Sequence, residues 1–196
     1  MAMSDLGDIK PVDDSRSKWI GVYVGILATL LAICGMGGGN AAKDATRGNI
    51  EATNMWAFFQ AKNVRRTAFL LAADELEISV LANPAMPEAA RKAAEQKIKA
   101  YRDTVAIFTS DKARGEGLDE LFAKAKAIEA DRDVAVRKDP YFDLSQALLQ
   151  IAIVLASVAL IAGTDSLLWA SGGLAVAGTF LLLNGFTLWF ALPFLG

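Results

Sequence analysis

Three stretches of this chain are almost free of charge. They run from Trp19 to Met36, from about Leu144 to Gly163, and from about Leu167 to Leu195. At about 1.5 Å of helical rise per residue, each covers most of a ~30 Å hydrocarbon core. Only the turn-forming string Gly163-Thr164-Asp165-Ser166 separates the last two, which predicts a tight helical hairpin. The pattern divides the chain into a polar tail (1–18), a first transmembrane helix (19–39), a polar insert (40–140), a second span (141–163) and a third (167–196). A cleaved signal peptide is the competing reading of the first run, with Gly39-Asn40-Ala41 as its small-residue cleavage site. The run exceeds a usual signal core, and we take it as retained.

Tryptophans mark where such spans meet the headgroups. Trp169 and Trp189 are separated by about 30 Å of helical rise, and the topology puts Trp19 on the Trp169 side and Tyr141 on the Trp189 side. The N-terminus and the hairpin turn then face one compartment, and the insert and the C-terminus the other. Basic residues flank the spans on both sides: Lys10, Arg16 and Lys18 before the first, and Lys43, Arg47, Arg132, Arg137 and Lys138 on the insert side. A long insert translocates largely regardless of charge, so the short basic tail decides for a cytoplasmic N-terminus and a periplasmic insert.

Within the first span Gly21, Gly25, Ala28, Ala32 and Gly35 fall on one helical face, with Gly21-x-x-x-Gly25 as a helix-pairing pattern. Such a face packs either on the hairpin of the same chain or on another copy. Ala152, Ala156, Ala159 and Gly163 repeat the theme in the second span. Gln150 and Asn184 lie at similar depth counted from the turn, and we expect them to hydrogen-bond each other, or to line a polar path.

Between Asn40 and Asp139 the period is helical. A first helix to about Ala82 carries Ala57, Ala61, Val64, Ala68, Leu71, Ile78 and Ala82 at heptad seam positions, interrupted by Glu75. Asn83-Pro84-Ala85-Met86-Pro87 breaks it. A second helix, about 88–108, has Ala90, Ala94, Ile98, Tyr101, Val105 and Phe108 as its seam. Asp111 to Gly117 interrupts again, and a third begins near Leu118 with Leu121, Ala125 and Ile128 on its apolar face. A segment that leaves and rejoins the same membrane face makes an even number of passes. A long antiparallel hairpin or stalk, its return arm broken near Gly115, satisfies this, and a shorter folded-back bundle is the alternative. Two helices leave Trp56, Phe58, Phe59 and Phe69 partly uncovered, which predicts an oligomer.

Composition narrows the functional classes. The hydrophobic fraction is 54% and the charged fraction 21%, and all 20 Lys and Arg lie at or before Lys138. This describes an all-α integral membrane protein with a polar portion. Acids and bases interleave at a net charge of -2, so no nucleic-acid partner is expected. With no histidine, His-based catalysis and His-ligated metal or haem sites are excluded. Cys34 is the single cysteine and lies in an apolar run. Gly35 to Gly39 lacks the Gly-Lys-Ser/Thr of a phosphate loop and reads as a flexible or tightly turned exit from the membrane. Glu129, Asp131 and Asp133 lack calcium-loop spacing and read as a solvated face. No catalytic, cofactor-binding or metal-ligating residue is assigned.

The most distinctive string is Asn54-Met55-Trp56-Ala57-Phe58-Phe59-Gln60-Ala61-Lys62-Asn63-Val64-Arg65. It resembles the Trp-Ala-aromatic-aromatic-Gln-Ala-Lys signature of a bacterial membrane-protein family known as domain of unknown function 4337. Phe142-Asp143-Leu144 and the string from Leu148 to Ser157 resemble that family's second span. The resemblance covers nearly the whole chain. It implies one span, a helical insert and a terminal hairpin, and no activity or catalytic residues. Its basic hairpin turn is missing here, where Gly163-Thr164-Asp165 carries no base. Trp56, Gln60 and Asn63 share one helical face, while Arg65 and Lys62 lie on another, and Trp56, Phe59, Gln60 and Arg65 are candidate interface anchors. The expectation is a non-enzymatic scaffold or accessory subunit of the bacterial inner membrane, whose partners are the lipid bilayer and further copies or a larger complex. A homo-oligomeric pore is the alternative, and an enzyme ranks third.

Overall fold

The computed structural model describes residues 14–192, whose regular structure is entirely helical. The expectations for residues 1–13, including Lys10, and for the end of the third apolar run at 193–196 lie outside the described residues. The helices are α1 (Asp14–Ala82), α2 (Glu88–Thr109), α3 (Leu118–Ala162) and α4 (Asp165–Thr187). Three of them, α1, α3 and α4, contain windows long and apolar enough to cross a membrane.

The breaks fall where the sequence puts them. Pro84 and Pro87 cannot sustain helical hydrogen bonding, and Pro87, at φ -54, opens α2 as its N-cap. The 110–117 connection turns on Gly115, at φ +66, a left-handed conformation that suits glycine. Glu120 then reaches back to accept the Ser110 hydroxyl at 2.7 Å and the Asp111 N–H at 3.0 Å.

Two expectations are corrected here. Gly35–Gly39 is no turn, because α1 runs straight through it. The glycines serve packing instead. A Cβ at Gly37 would stand 2.5 Å from Phe142 Cε1, and one at Gly38 would stand 3.2 Å from Phe142 Cβ, so only a bare backbone admits that ring. The third apolar run is also not helical to its end. It stops at Thr187, and Leu188 adopts φ 51. The Asn184 side chain fixes this stop by donating Nδ2–H to the Phe190 carbonyl and accepting the Phe190 N–H, each at 2.9 Å. Trp189 thus lies beyond the helix, so the 30 Å helical spacing to Trp169 does not apply.

The chain divides into two compact units, one comprising the chain up to Asp44 and from Val134 onward, the other Ala45–Asp133. In the first, the early part of α1, the late part of α3 and α4 surround a core of Leu27, Cys34, Phe142, Leu149, Ala152, Ala175 and Leu182. Ion pairing of Arg16 with Asp165 at 2.5 Å and the Tyr23–Ser171 contact at 3.0 Å show α1 and α4 running parallel. Ser145 to Gly178 and Ser171 to Ala152 show α3 and α4 antiparallel. Small residues set the spacing: Ala152, Ala156 and Ala159 of α3 are fully buried, and Gly178 faces Leu149.

In the second unit, α2 and the start of α3 meet the later part of α1 in succession. Phe69 packs on Tyr101 and Phe108, and Arg102 pairs with Glu77 at 2.5 Å. Nearer the start, Trp56 meets Phe122 and Glu129, and Asn49 accepts from Arg132 at 3.2 Å. As the α1 number falls the partner number rises, an antiparallel order of contacts. Of the seam predicted for α2, Ala94, Ile98, Tyr101, Val105 and Phe108 are half-buried and Ala90 is exposed, while on α3 Leu118, Leu121 and Ala125 are buried. The α1 seam is not used within the chain. Ala57, Ala61, Val64, Ala68, Leu71, Ile78 and Ala82 are all exposed, while the inward face is Ala52, Trp56, Phe59, Asn63, Arg66, Ala73 and Leu76. Aromatic and long side chains bridge to α2 and α3 where the alanine-rich stripe is too short to reach.

Candidate functional site

Residues expected to make helix contacts distribute between buried and bare surfaces. Gly21, Gly25, Ala28 and Ala32, with Gly35, are all exposed, and a Cβ built on Gly21 or Gly25 meets no atom within 4 Å. Packing of this face on the chain's own hairpin is therefore not what occurs. The α1 residues that do face the hairpin include Ile20, Leu27, Cys34 and Ala41, one heptad apart, together with Gly37 and Gly38 against Phe142.

Gln150 and Asn184 do not meet. Asn184 is buried and spends its amide on the backbone of Phe190, whereas Gln150 is exposed on the other side of α3. Its neighbours along that side are Asp143, Gln146 and Ser157, at intervals of three, four and seven residues. Gln146 is the amide that approaches α1, with Oε1 4.0 Å from a Cβ placed on Gly35. The Gly35 end of the glycine–alanine stripe of α1 thus approaches Gln146 of the polar stripe of α3. Neither spacing nor composition alone pairs them. The missed signal is that Gln146 and Gln150 sit one turn apart within an apolar run.

Most polar groups inside the bundle are satisfied, the buried Ser17 Oγ being an exception. Ser171 donates its single hydroxyl proton to the Ala152 carbonyl at 2.7 Å, so Tyr23 is the donor in the Tyr23–Ser171 bond. Tyr141 closes the opposite end by donating to the Phe190 carbonyl at 3.0 Å and accepting the Leu192 N–H at 2.9 Å. Trp19 and Trp169 line one groove of about 360 Å³ with Ile20, Tyr23, Leu168 and Gly172, so both indoles lie at the same end of the bundle.

The distinctive string of the insert divides among faces. Trp56 stacks edge-on against Phe59 and Phe122, each at 5.5 Å between centroids, and donates its indole N–H to Glu129 at 2.8 Å. Lys126 completes this cluster, 2.8 Å from Glu129 and 5.6 Å from the Trp56 ring. Lys126, and then the Trp56 indole, hold the Glu129 carboxyl below the usual glutamate range. Glu120 is lowered likewise, first by the Ser110 hydroxyl and then by the Asp111 amide. Glu129, expected on a solvated face with Asp131 and Asp133, is thus a half-buried acceptor, while the two aspartates are exposed. Asn63 turns inward with Trp56. Gln60, one turn on from Trp56, and Arg65 are exposed.

Lys62 lies over the Phe108 ring at 5.5 Å and the Phe58 ring at 5.9 Å and donates to the Glu116 carbonyl, tying α1 to the 110–117 connection. Among the described residues no group of three or more His, Cys, Asp or Glu is placed to hold a metal ion.

The family model described as Domain of unknown function (DUF4337) matches residues 16–188, from the start of α1 to the residue after α4. The chain belongs to that family. No curated protein and no solved structure matches it. In this DUF4337 chain the matched region takes in both the glycine–alanine stripe and the Trp56 cluster.

Proposed function

We propose that this DUF4337 protein is a non-enzymatic scaffold or accessory subunit of the bacterial inner membrane that associates with further copies of itself. Three apolar helices support multi-pass anchoring. The antiparallel order of contacts from Arg102–Glu77 to Arg132–Asn49 supports the insert as a helical hairpin standing off the bilayer. The basic residues before the first span favour a cytoplasmic N-terminus and a periplasmic insert.

One observation carries the reading: Gly21, Gly25, Ala28 and Ala32 form a bare face on α1, while Gln150 leaves an exposed amide within the apolar run of α3. Lipid tails wet apolar side chains well but offer an amide no hydrogen bond, and a groove of glycine and alanine lets another helix come close enough to supply one. An interhelical hydrogen bond of this kind contributes about 0.6 to 1 kcal/mol, and close backbone packing adds dispersion over the whole stripe. Replacing Gly21 and Gly25 together by leucine fills the groove, and native mass spectrometry from nanodiscs then reports smaller assemblies. Unchanged mass in that variant contradicts the reading.

A homo-oligomeric pore is the second reading, favoured by the file of Asp143, Gln146, Gln150 and Ser157 along one side of α3. In a ring of copies these groups line a hydrated axis. Single-channel recording in planar bilayers separates the two, since the pore reading requires a conductance that changes when Gln150 becomes leucine.

A further inference from the structure

The later part of α1 has two faces of opposite fate. Ala52, Phe59, Arg66, Ala73 and their neighbours are engaged by α2 and α3. On the far side Ile50, Ala57, Val64, Leu71 and Ile78 alternate at heptad spacing with Asn54, Ala61, Ala68, Glu75 and Ala82, and all of them are exposed. Val64 is 69% exposed, Leu71 56% and Ile78 64%, so this is the longest regular apolar surface in the second unit. A sustained 3.5-residue repeat is the period by which one helix meets another over its length.

We infer that this face is a coiled-coil seam for the same face of a second copy, aligned parallel and in register. The inference rests on the self-association reading above. Three observations commit it to that occupant. The other heptad faces of the second unit, on α2 from Ala94 onward and on the start of α3, are half-buried or buried, so among the described residues of that unit the free surface of this period is the α1 face itself, which another copy matches. Copies anchored in one bilayer present the same segment in the same sense, which makes the pairing parallel. In that register the flanking positions bring Gln60 opposite Arg65, Thr67 opposite Ala72, and Asp74 opposite Ser79 of the other copy, which gives polar pairing and no like-charge contact. Alanine at Ala61, Ala68 and Ala82 keeps the two backbones close. Glu75 is the discordant layer, because two carboxylates meet there and limit the affinity.

Disulfide trapping of the full chain in nanodiscs tests this, with Cys34→Ser as background. Val64→Cys and Ile78→Cys lie about 21 Å apart along the helix. Only a parallel, in-register pair brings each to its own counterpart, so both should form intermolecular disulfides, while Lys99→Cys on the exposed side of α2 should not. Glu75→Ala, which removes the facing carboxylates and continues the alanine series, should raise both yields severalfold. Trapping at only one of the two positions, or equally at Lys99→Cys, overturns the parallel seam. If native mass spectrometry shows an oligomer that traps at neither position, the seam is wrong and association through the spans stands. If the chain is monomeric throughout, both fall.

Discussion

Phe142 offers the sharpest test of how the first unit is held together. Its ring is 2% exposed and sits between the bare backbones of Gly37 and Gly38 on α1 and Gly185 on α4, edge-on to Phe186 at 4.9 Å. Replacing a glycine inside a helix by alanine ordinarily stabilises by about 1 kcal/mol, because the chain loses less freedom on folding. At Gly37 the new Cβ would lie 2.5 Å from Phe142 Cε1 and 2.8 Å from Cζ. The ring must retreat by about 1 Å to recover an ordinary ~3.5 Å carbon contact. Overpacking of this kind costs about 1 to 3 kcal/mol, so the sign should reverse and Gly37→Ala should destabilise. Gly39→Ala is the matched control, since nothing lies within 4 Å of its Cβ, and it should stabilise. In a Phe142→Ala background the Gly37→Ala penalty should vanish and the propensity gain return, a coupling of about 1 to 3 kcal/mol. Unfolding in mixed micelles, followed by circular dichroism over a titration of denaturing detergent, measures each corner of the cycle. If Gly37→Ala and Gly39→Ala shift the midpoint alike, or if the two substitutions simply add, the ring is not wedged on that glycine.

Three further outcomes follow from the same structure. Leu188→Gly should raise stability by about 1 kcal/mol in the same titration, because it relieves a side chain held at φ 51 while the Asn184 bonds to Phe190 remain. Tyr141→Phe should leave the Leu192 N–H without its partner and the Phe190 carbonyl with Asn184 alone, and so loosen the segment after α4, which a red shift of Trp189 emission in a chain with its other tryptophans replaced would report. The pH dependence of the second unit follows from Glu120 and Glu129, both lowered in the folded chain. Their contribution is complete above the unfolded glutamate pKa of about 4.3 and is lost as pH falls through the depressed values. Near-ultraviolet dichroism of the Trp56 cluster should therefore hold down to about pH 4 and fade below it, and Glu129→Gln should flatten that fade.

Element boundaries in the insert were legible because they rest on local chemistry. Two prolines within four residues, at 84 and 87, separate α1 from α2, and Gly115 takes the left-handed turn before α3, whereas the single Pro140 is absorbed inside α3. Gly35–Gly39 misled for the complementary reason. Glycine permits a turn but also permits contact, and only the distant Phe142 decides between them. The end of α4 was invisible to hydropathy, since Leu188, Trp189 and Phe190 are as apolar as the helix before them, and the stop is written in one amide, Asn184, reaching six residues on.

The face of α1 that packs inward was the least legible feature, and the reason bears on function. In the later part of α1 two apolar repeats share one helix, and a periodicity argument selects the one with the cleaner aliphatic alternation. The chain's own partners take the other, because bridging from α1 to two separate short helices needs reach, and Trp56, Phe59 and Phe69 have it while Ala57, Ala61 and Ala68 do not. The early part of α1 shows the same division, with Leu27 and Cys34 turned inward and Gly21, Gly25, Ala28 and Ala32 left bare. In each unit one stripe of α1 that contains small residues is left uncovered by the chain's own helices, and small residues suit a contact that must be close. Close contact along a whole stripe requires a straight helix of the same period, and a second copy of α1 meets that requirement with no further element. Enlarging the stripe in one unit should therefore weaken association without unfolding that unit, so Ala61→Leu with Ala68→Leu should lower the trapped fraction at Val64→Cys while leaving the near-ultraviolet signal of Trp56 intact. Loss of the Trp56 signal in that variant would mean that the stripe is part of the chain's own packing after all.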